Sequence, residues 1–319
     1  LESSLPRMPN AFFAPQRQVY HAHGEPRTSV ALLSGCVMPL VHGPEMRTVA
    51  GVLNRNGVEV MVPQGQVCCG AIHTHVGDLD RTREMARHNI DTFLVLPVDA
   101  VVTASAGCGT RMKEYGELLN DDPEYAESAA ELSGKVRDIH EFLYDLPIIP
   151  PEGRLDYEVT YQDACHLSHT QGIGAQPRAL LESIPGLKLV EMRNSTKCCG
   201  AGGTYTLTER EMSLRLLDDK MSAIGETGAT VVATGNPGCL IQLQYGSDRN
   251  GPPVTVKYVT DLLDEAYSAE NSVGTKARSP REPGDADSPW SDSPWEEERD
   301  ELRTQWKSRP GDRRQRRDR

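Results

Sequence analysis

Short apolar runs alternate with longer amphipathic stretches along the chain, and the alternation occurs twice. Helices are predicted from near Pro44 to just before Gly57, and over residues 78–96 with Asp78 as the N-cap. Strands that alternate with helices form parallel sheets flanked by those helices. We therefore predict an α/β fold of two tandem, pseudo-symmetric lobes. The apolar runs predict strands over residues 30–33, 58–62 and 100–104 in the first half, and over 159–161, 187–191 and 230–233 in the second.

The same pattern carries an internal repeat that includes all eight cysteines. Residues 68–71 (CCGA) match residues 198–201, and residues 136–146 (VRDIHEFLYDL) resemble residues 256–266 (VKYVTDLLDEA). The first four cysteines return in the second half at offsets of 129, 130, 130 and 131 residues. Agreement at several separate points indicates a tandem duplication.

Each cysteine follows the carboxyl end of a predicted strand. Open parallel sheets bind their ligands at that edge. We therefore predict that four thiols, distant in sequence, converge in each lobe and hold a metal centre near the carboxyl ends of its strands. The first predicted set is Cys36, Cys68, Cys69 and Cys108, and the second is Cys165, Cys198, Cys199 and Cys239.

Four interpretations of these cysteines compete. Disulfides suit small secreted chains, whereas residues 1–18 contain no charged start followed by an apolar stretch. Buried, inert cysteines do not account for eight residues arranged as a repeat. Structural zinc usually uses close Cys-x-x-Cys pairs, which are absent here. Four thiolates also bind a [4Fe–4S] cluster, so spacing favours a cluster and leaves zinc open.

Composition and charge divide the chain further. We expect a linker over residues 1–27, lobes over 28–150 and 151–268, and a disordered tail over 269–319, which contains all three tryptophans and Ser-Pro repeats. From residue 270 onward the charges balance, so the net charge of −12 belongs to the rest of the chain. An acidic body repels phosphate, and we expect no nucleic-acid partner. Without an export signal or a long apolar run, we expect a cytoplasmic protein.

Several segments resemble the cysteine-rich CCG domain, which occurs in pairs in glycolate oxidase iron–sulfur subunits, lactate-utilisation proteins and heterodisulfide reductase catalytic subunits. The resemblance covers roughly residues 30–267 and is nearest to the glycolate oxidase subunits. The segments that carry it are LLSGCV (32–37), LNRNGVEVMVPQGQVCCGA (53–71), ASAGCGTRMKEYGELL (104–119), DDPEYAE (121–127), CCGAGGTYTL (198–207) and ATGNPGCLIQL (233–243).

This resemblance implies the electron-transfer subunit of a flavin-linked glycolate or lactate dehydrogenase. It implies two [4Fe–4S] clusters on this chain, FAD on a partner subunit, and a quinone or another carrier as electron acceptor. A peripheral place on the inner face of the cytoplasmic membrane would suit that role. The related subunits also have an upstream ferredoxin-like region, so we expect that it preceded Leu1 or that a separate ferredoxin-like protein supplies it.

The chain departs from the heterodisulfide reductase pattern, in which the domain usually ends in Cys-x-x-Cys. Each half here has four cysteines, which favours one simple cluster in each. Three alternatives stay open: a catalytic subunit that reduces a disulfide, a zinc-stabilised scaffold without redox chemistry, and a pair of lobes of which one has lost its cluster. Metal analysis separates these alternatives.

Residues beside the cysteines give further candidates. Gly70 and Gly200 each follow a cysteine pair, and we expect them to shape the cofactor site as well as to form turns. A proton-handling role is open for the nearby histidines, while a ligand role is the minority interpretation. Asp163 and Arg111 could tune the local charge, but we expect both to be ordinary surface residues. The histidines concerned are His73, His75, His166 and His169.

Overall fold

The computed structural model describes residues 6, 8, 9, 12–15, 18–249 and 251–273. Within these residues the strands are β1 (Gln18–Tyr20), β2 (Thr28–Leu33), β3 (Val58–Val62), β4 (Ala100–Thr103), β5 (Val136–Asp138), β6 (Glu158–Gln162), β7 (Lys188–Leu189), β8 (Val231–Thr234) and β9 (Thr255–Tyr258).

Helices connect these strands and flank the sheets. In the first lobe they are α1 (Met38–Val41), α2 (Gly43–Arg55), α3 (Ala71–His75), α4 (Leu79–Phe93), α5 (Ala106–Lys113), α6 (Tyr115–Leu118), α7 (Ala126–Lys135) and α8 (Ile139–Asp145). In the second lobe they are a π-helical turn (His166–Thr170), α9 (Ala175–Glu182), α10 (Tyr205–Thr208), α11 (Arg210–Thr227), α12 (Pro237–Arg249) and α13 (Val259–Val273).

The two sheets repeat one topology. The first has the strand order β1-β3-β2-β4-β5 and the second β7-β6-β8-β9. All strand pairings are parallel except that of β1 with β3. Without β1, the two sheets have equivalent strands in the same order. The sequence prediction of tandem α/β lobes with parallel sheets is confirmed.

The apolar runs form strands because both faces of each sheet are covered. All four residues of β4 and of β8 are buried, as expected for strands between two helical layers. The helix predicted over residues 78–96 is present as α4, and the Asp78 side chain accepts a hydrogen bond from the Arg81 backbone N–H, as predicted for an N-cap.

The segment predicted as a linker is in part structured. Residues 18–20 form β1, which pairs antiparallel with β3, and Phe13 is buried in the core against Tyr20. The linker prediction is therefore wrong for this stretch. The reason is that β3 would otherwise be an open sheet edge, and three residues of extended chain cover it. So short a strand leaves no periodic pattern in the sequence.

The last helix of each lobe packs against the other lobe. Helix α8 packs against α9, and α13 packs against α2, so that the exchange is reciprocal. One apolar core consequently contains residues from both lobes, including Val30, Val60, Tyr161 and Tyr258. The Tyr258 hydroxyl donates to the Met38 sulfur of the first lobe at 3.2 Å. The two sheets are therefore joined by a continuous packed layer.

The segment predicted as a disordered tail begins inside a helix. Helix α13 continues to Val273, and an ion pair between Arg55 and Glu270 ties it to α2. The rest of that segment lies outside the described residues. Among the described helices, none is long and apolar enough to cross a membrane.

Candidate metal centres

The cysteines lie where the sheet topology creates a crevice. In the first lobe, β2 is flanked by β3 on one side and β4 on the other, so the chain changes direction across the sheet at β2. Ligands of open parallel sheets bind at such a switch point, beyond the carboxyl ends of the strands. The segments after these three strands carry the first predicted set of cysteines, with Cys108 in the first turn of α5. The segments after β6, β7 and β8 carry the second set, with Cys239 in the first turn of α12.

In the first lobe the four thiols form a chain of contacts. The thiols of Cys36 and Cys69 donate to the Cys68 sulfur, and with the Gly70 N–H they lower the pKa of Cys68 to about 2. The contact with Cys68, followed by burial, raises the pKa of Cys36. The contact with Cys108 raises the pKa of Cys69 and lowers that of Cys108. The same four cysteines also line one cavity. The structure therefore brings the first four cysteines together.

The second lobe repeats the arrangement. The thiols of Cys165 and Cys199 lower the pKa of Cys198 to about 2, and the contact with Cys198 raises the pKa of Cys165. Contact with Cys199 lowers the pKa of Cys239. All eight cysteines have free thiols. In each lobe these contacts raise the pKa of two cysteines and lower the pKa of the two that they touch, and a metal centre would displace protons from the thiols.

Polar donors surround the sulfurs at matching positions. The backbone N–H of Gly70 lies 3.4 Å from the Cys68 sulfur, and that of Gly200 lies 3.3 Å from the Cys198 sulfur. The Asn236 amide donates to the Cys239 sulfur at 3.7 Å. Ser105 makes the corresponding bond to Cys108 and lowers its pKa, after the larger effect of Cys69. Donors of this kind stabilise thiolate and also tune metal–sulfur centres.

Ser105 and Asn236 carry no motif that identifies them as site residues. Each precedes the last cysteine of its set by three residues, at the start of the helix that carries that cysteine. That shared spacing, read through the internal repeat, is the sequence signal that could have identified them.

Gly70 and Gly200 both adopt the left-handed backbone conformation, with φ of 87° and 89°. A side chain at Gly200 would begin 2.4 Å from the Ser213 carbonyl oxygen, and one at Gly70 would begin 2.8 Å from a Thr82 methyl group. Glycine thus lets each cysteine pair turn back tightly against a helix, α4 or α11.

The two cysteine sets open into one cavity. It has a volume of about 570 Å³, lies between the lobes, and is lined by all eight cysteines. The lobes also touch there, since the Gly107 N–H bonds to the Asn236 side-chain oxygen at 3.4 Å and the Gln171 amide to the Ala106 carbonyl at 3.0 Å. A group bound by the first cysteine set would therefore lie beside a group bound by the second.

The predicted histidines separate into two groups. The rings of His75 and His166, from different lobes, meet edge to face with 5.5 Å between their centres and line the cavity. Burial lowers the pKa of His75, with smaller contributions from His166 and Arg111. His73 instead lies 3.4 Å from Asp78, and His169 bonds to the Thr196 carbonyl at 3.2 Å. Only the first pair therefore faces the space between the cysteine sets.

The surface prediction is wrong for Asp163 and incomplete for Arg111. Asp163 is buried, and both of its carboxylate oxygens accept from Arg178 at 2.8 Å. It directly follows β6 and lies two residues before Cys165. Arg111 is half-buried and pairs with Glu114 at 2.7 Å. Arg178 thus neutralises the buried Asp163 charge beside the second set.

The donor set fits iron–sulfur clusters. Each quartet offers four soft sulfur donors at one sheet edge, backbone N–H groups aimed at sulfur, and glycine where the chain must pass close by. In the described part of the chain, no three His, Cys, Asp or Glu side chains already surround a point as a single metal ion requires. The quartets are chains of neighbouring sulfurs.

Known proteins resemble this chain over most of its length. A probable glycolate oxidase iron-sulfur subunit of Bacillus subtilis (strain 168) is 38% identical over 277 residues, which are 85% of this chain and 62% of that protein. The chain thus spans less than two thirds of that relative. Lactate utilization protein A of Shouchella clausii (strain KSM-K16) is 31% identical over 237 residues, 74% of this chain and 98% of that protein.

The fold also occurs in a solved structure. The crystal structure of a hypothetical protein from Helicobacter pylori superimposes with a TM-score of 0.59 at 13% identity, over 82% of this chain and 53% of that chain. At this identity the likeness concerns the fold alone.

The cysteine-rich (CCG) domain profile matches residues 30–113 and 159–244. Each match lies within one lobe and includes all four cysteines of its set. The chain therefore belongs to the cysteine-rich CCG domain family, of which it contains two copies.

Proposed function

We propose that this chain is the iron–sulfur electron-transfer subunit of a flavin-linked 2-hydroxyacid dehydrogenase. The observation that carries the proposal is the convergence of two matching cysteine quartets on one cavity between the lobes. Relatives named as a glycolate oxidase iron-sulfur subunit and as a lactate utilization protein support glycolate or lactate as the substrate of the complex.

Each quartet would hold one [4Fe–4S] cluster. Cys36, Cys68, Cys69 and Cys108 would be the ligands in the first lobe, and Cys165, Cys198, Cys199 and Cys239 those in the second. A bound cluster supplies a site that takes up and releases one electron. The chain's own residues supply the thiolates and aim backbone N–H groups at the sulfurs.

Substrate oxidation belongs to a partner in this proposal. An FAD-binding dehydrogenase subunit would remove electrons from the hydroxyacid, and a quinone or another carrier would receive them, with a ferredoxin-like region or protein as a further member. The protein's contribution is to place two one-electron sites beside each other. Their common cavity supports this because electron transfer requires short distances between the sites.

Iron analysis of single-cysteine variants tests the proposal. We expect the anaerobically purified protein to contain about eight iron atoms and matching sulfide, which is about four for each quartet. Cys68→Ser should lose the iron of the first lobe and Cys199→Ser that of the second, so that each variant is the control for the other. Electron transfer to an artificial acceptor should fail in both, while the separate flavin subunit still binds its substrate.

Three outcomes would contradict it. Unchanged iron in both variants would reject the ligand assignment. Zinc without iron and sulfide would indicate a structural scaffold instead. A cluster whose spectrum changes on addition of thiol would favour disulfide reduction at the site.

A further inference from the structure

Lysine 220 is a buried cation beside the second quartet. It lies on α11, only 1% of it is exposed, and its ammonium group bonds to the carbonyl oxygens of Asn194 and Ser195 at 2.8 and 3.1 Å. The Met192 sulfur, 4.0 Å away, completes its surroundings. All three partners are acceptors, which matches the three N–H bonds of a protonated amine. The contacts therefore suit the charged form.

The corresponding position in the first lobe is neutral. Thr82 of α4 and Ser213 of α11 each bond through the hydroxyl to the carbonyl of the glycine in the Cys-Cys-Gly motif, which fixes the alignment of the two helices. Seven residues further along each helix stand Asn89 and Lys220. Asn89 is equally buried and bonds to the Cys68 carbonyl at 3.1 Å. Both residues thus tie the segment before the cysteine pair to a helix, and only one of them carries charge.

Lysine 220 acts electrostatically on the second quartet. Its charge lowers the pKa of Cys239, after the larger effects of Cys199 and Asn236. Burial lowers the pKa of Lys220 itself, and Cys199, Asp163 and Cys239 oppose that shift. Met192 packs in the same apolar cluster as Cys199 and Cys239, which places the amine close to that side of the quartet. A charge in such dry surroundings is weakly screened.

No other described charge cancels this asymmetry. Asp163 is held by two hydrogen bonds from Arg178, which also donates to Glu191 at the surface, so the buried charge of Asp163 is compensated and the remaining carboxylate is exposed to solvent. On the first quartet, His73 acts on Cys68, but it is partly exposed and lies beside Asp78. The second quartet alone faces a buried cation.

We propose that Lys220 makes the cluster of the second quartet easier to reduce than that of the first. This inference rests on the proposed function. At equilibrium, one electron delivered by the flavoprotein would leave the first site oxidised and the second reduced, and no bond or proton at Lys220 would change. The charge thereby gives electron transfer within the subunit a direction, from the first lobe to the second.

A redox titration of the cluster-loaded protein, followed by electron paramagnetic resonance, tests the inference. The wild-type protein should show two one-electron steps of different potential. Lys220→Gln keeps a polar group but removes the charge, and we expect it to shift the more positive step downward by about tenfold in the equilibrium constant, or about 59 mV. Lys220→Arg should leave the potential near its original value. The matched variant, Asn89→Lys, should raise the other step.

Failure of this inference can be distinguished from failure of the proposed function because the two have different readouts. Iron content and the resonance signals report whether the clusters are present, and the potentials report what Lys220 does. The inference is wrong if Lys220→Gln retains full iron with both steps unmoved, or if Lys220→Arg shifts the step as far as Lys220→Gln, since packing would then be responsible. Should Asn89→Lys fail to bind iron, the two Lys220 variants decide alone.

Discussion

At the scale of single residues, glycine and cysteine in this protein depend on each other. A cysteine pair can present two adjacent sulfurs to one centre only if the chain reverses at once, and Gly70 and Gly200 make that reversal with positive φ. The same reversal places the Gly200 backbone against α11, and it points the Gly200 N–H at the Cys198 sulfur, 3.3 Å away. Loss of either glycine should therefore disturb the metal site and the fold together.

Replacement of Gly200 by alanine should be more damaging than replacement of a glycine that has only a positive φ. Gly228, at the end of α11, has φ of 71° and open space around it, whereas a side chain at Gly200 would begin 2.4 Å from a backbone oxygen. We expect Gly228→Ala to lower the free energy of unfolding by about 1 kcal/mol. Gly200→Ala should lower it by more and also reduce the iron content of the second quartet.

Denaturant unfolding and iron analysis of the two variants, with Gly70→Ala beside them, check this ordering. Gly70→Ala should be intermediate because its nearest obstacle is a Thr82 methyl group at 2.8 Å and the Thr82 backbone is 3.2 Å away, whereas at Gly200 a backbone oxygen is only 2.4 Å away. Equal losses in all three variants would show that backbone conformation, and not the approach to α11, decides the effect.

The sequence predicts some site residues and misses others for a physical reason. The cysteine quartets are predictable because their spacing repeats and because parallel strands collect loops at one edge. Lys220 is not predictable, since a lysine in a polar helix usually lies at the surface. It becomes identifiable only when the structure shows it buried at the position equivalent to Asn89 of the other lobe. Asp163 escapes prediction in the same way, because its burial depends on Arg178, fifteen residues away.

At the scale of elements, an acid in the first turn of each lobe's last helix accepts a hydrogen bond from the backbone N–H three residues before it. In the first lobe Asp138 and Glu141 form a capping box at α8. In the second, Asp261 accepts from the Tyr258 backbone N–H at 2.9 Å, at the first turn of α13. Burial raises the pKa of Asp261 to about 7 from its ordinary 3.8, with Glu45 adding to the rise and the Tyr258 N–H opposing it.

This raised pKa predicts how stability depends on pH. The folded state binds the Asp261 proton more tightly than the unfolded chain, so its contribution is fully present below about pH 4 and is lost as the pH rises through about 7. Asp261→Asn has no such loss. We expect the stability of the variant relative to the parent to increase between pH 5 and pH 8, as measured by denaturant unfolding at both values.

The exposed carboxylate of Asp80, whose side chain is 98% accessible, provides the control. Asp80→Asn should change the free energy of unfolding by a similar small amount at both pH values. A difference between Asp261→Asn and the parent that stays constant from pH 5 to pH 8 would contradict the assigned protonation.

Element prediction from the sequence succeeds where the pattern is long and fails where it is short. Helix α4 and strands β2, β3 and β4 are predicted at nearly their observed positions because apolar spacing and an N-cap mark them. Strand β1 has three residues and is not predicted, whereas β7 covers only two of the five residues predicted for it, and both pair with a single neighbouring strand. The exchange of α8 and α13 is also invisible in the sequence, because an amphipathic pattern shows that a face is buried but not against what.

At the scale of the whole molecule, the exchanged helices make two repeats into one structural unit. The apolar core that α8 and α13 share with α2 and α9 contains side chains from both sheets. Duplicated domains that only adjoin can unfold one at a time, whereas domains with a common core should not. The cavity between the cysteine quartets exists only in the joined form, so cooperativity and the site have the same origin.

Truncation in this shared core should therefore weaken both lobes equally. Leu263 of α13 is fully buried there, and Leu263→Ala should lower the free energy of unfolding by about 2–5 kcal/mol. Native-state hydrogen exchange should show the backbone amides of β4 in the first lobe losing as much protection as those of β8 in the second. Leu207, which is 65% exposed, offers a matched control in which Leu207→Ala changes little in either strand. A loss confined to β8 would mean that the lobes unfold independently, and the shared layer would then be a contact between two domains rather than a common core.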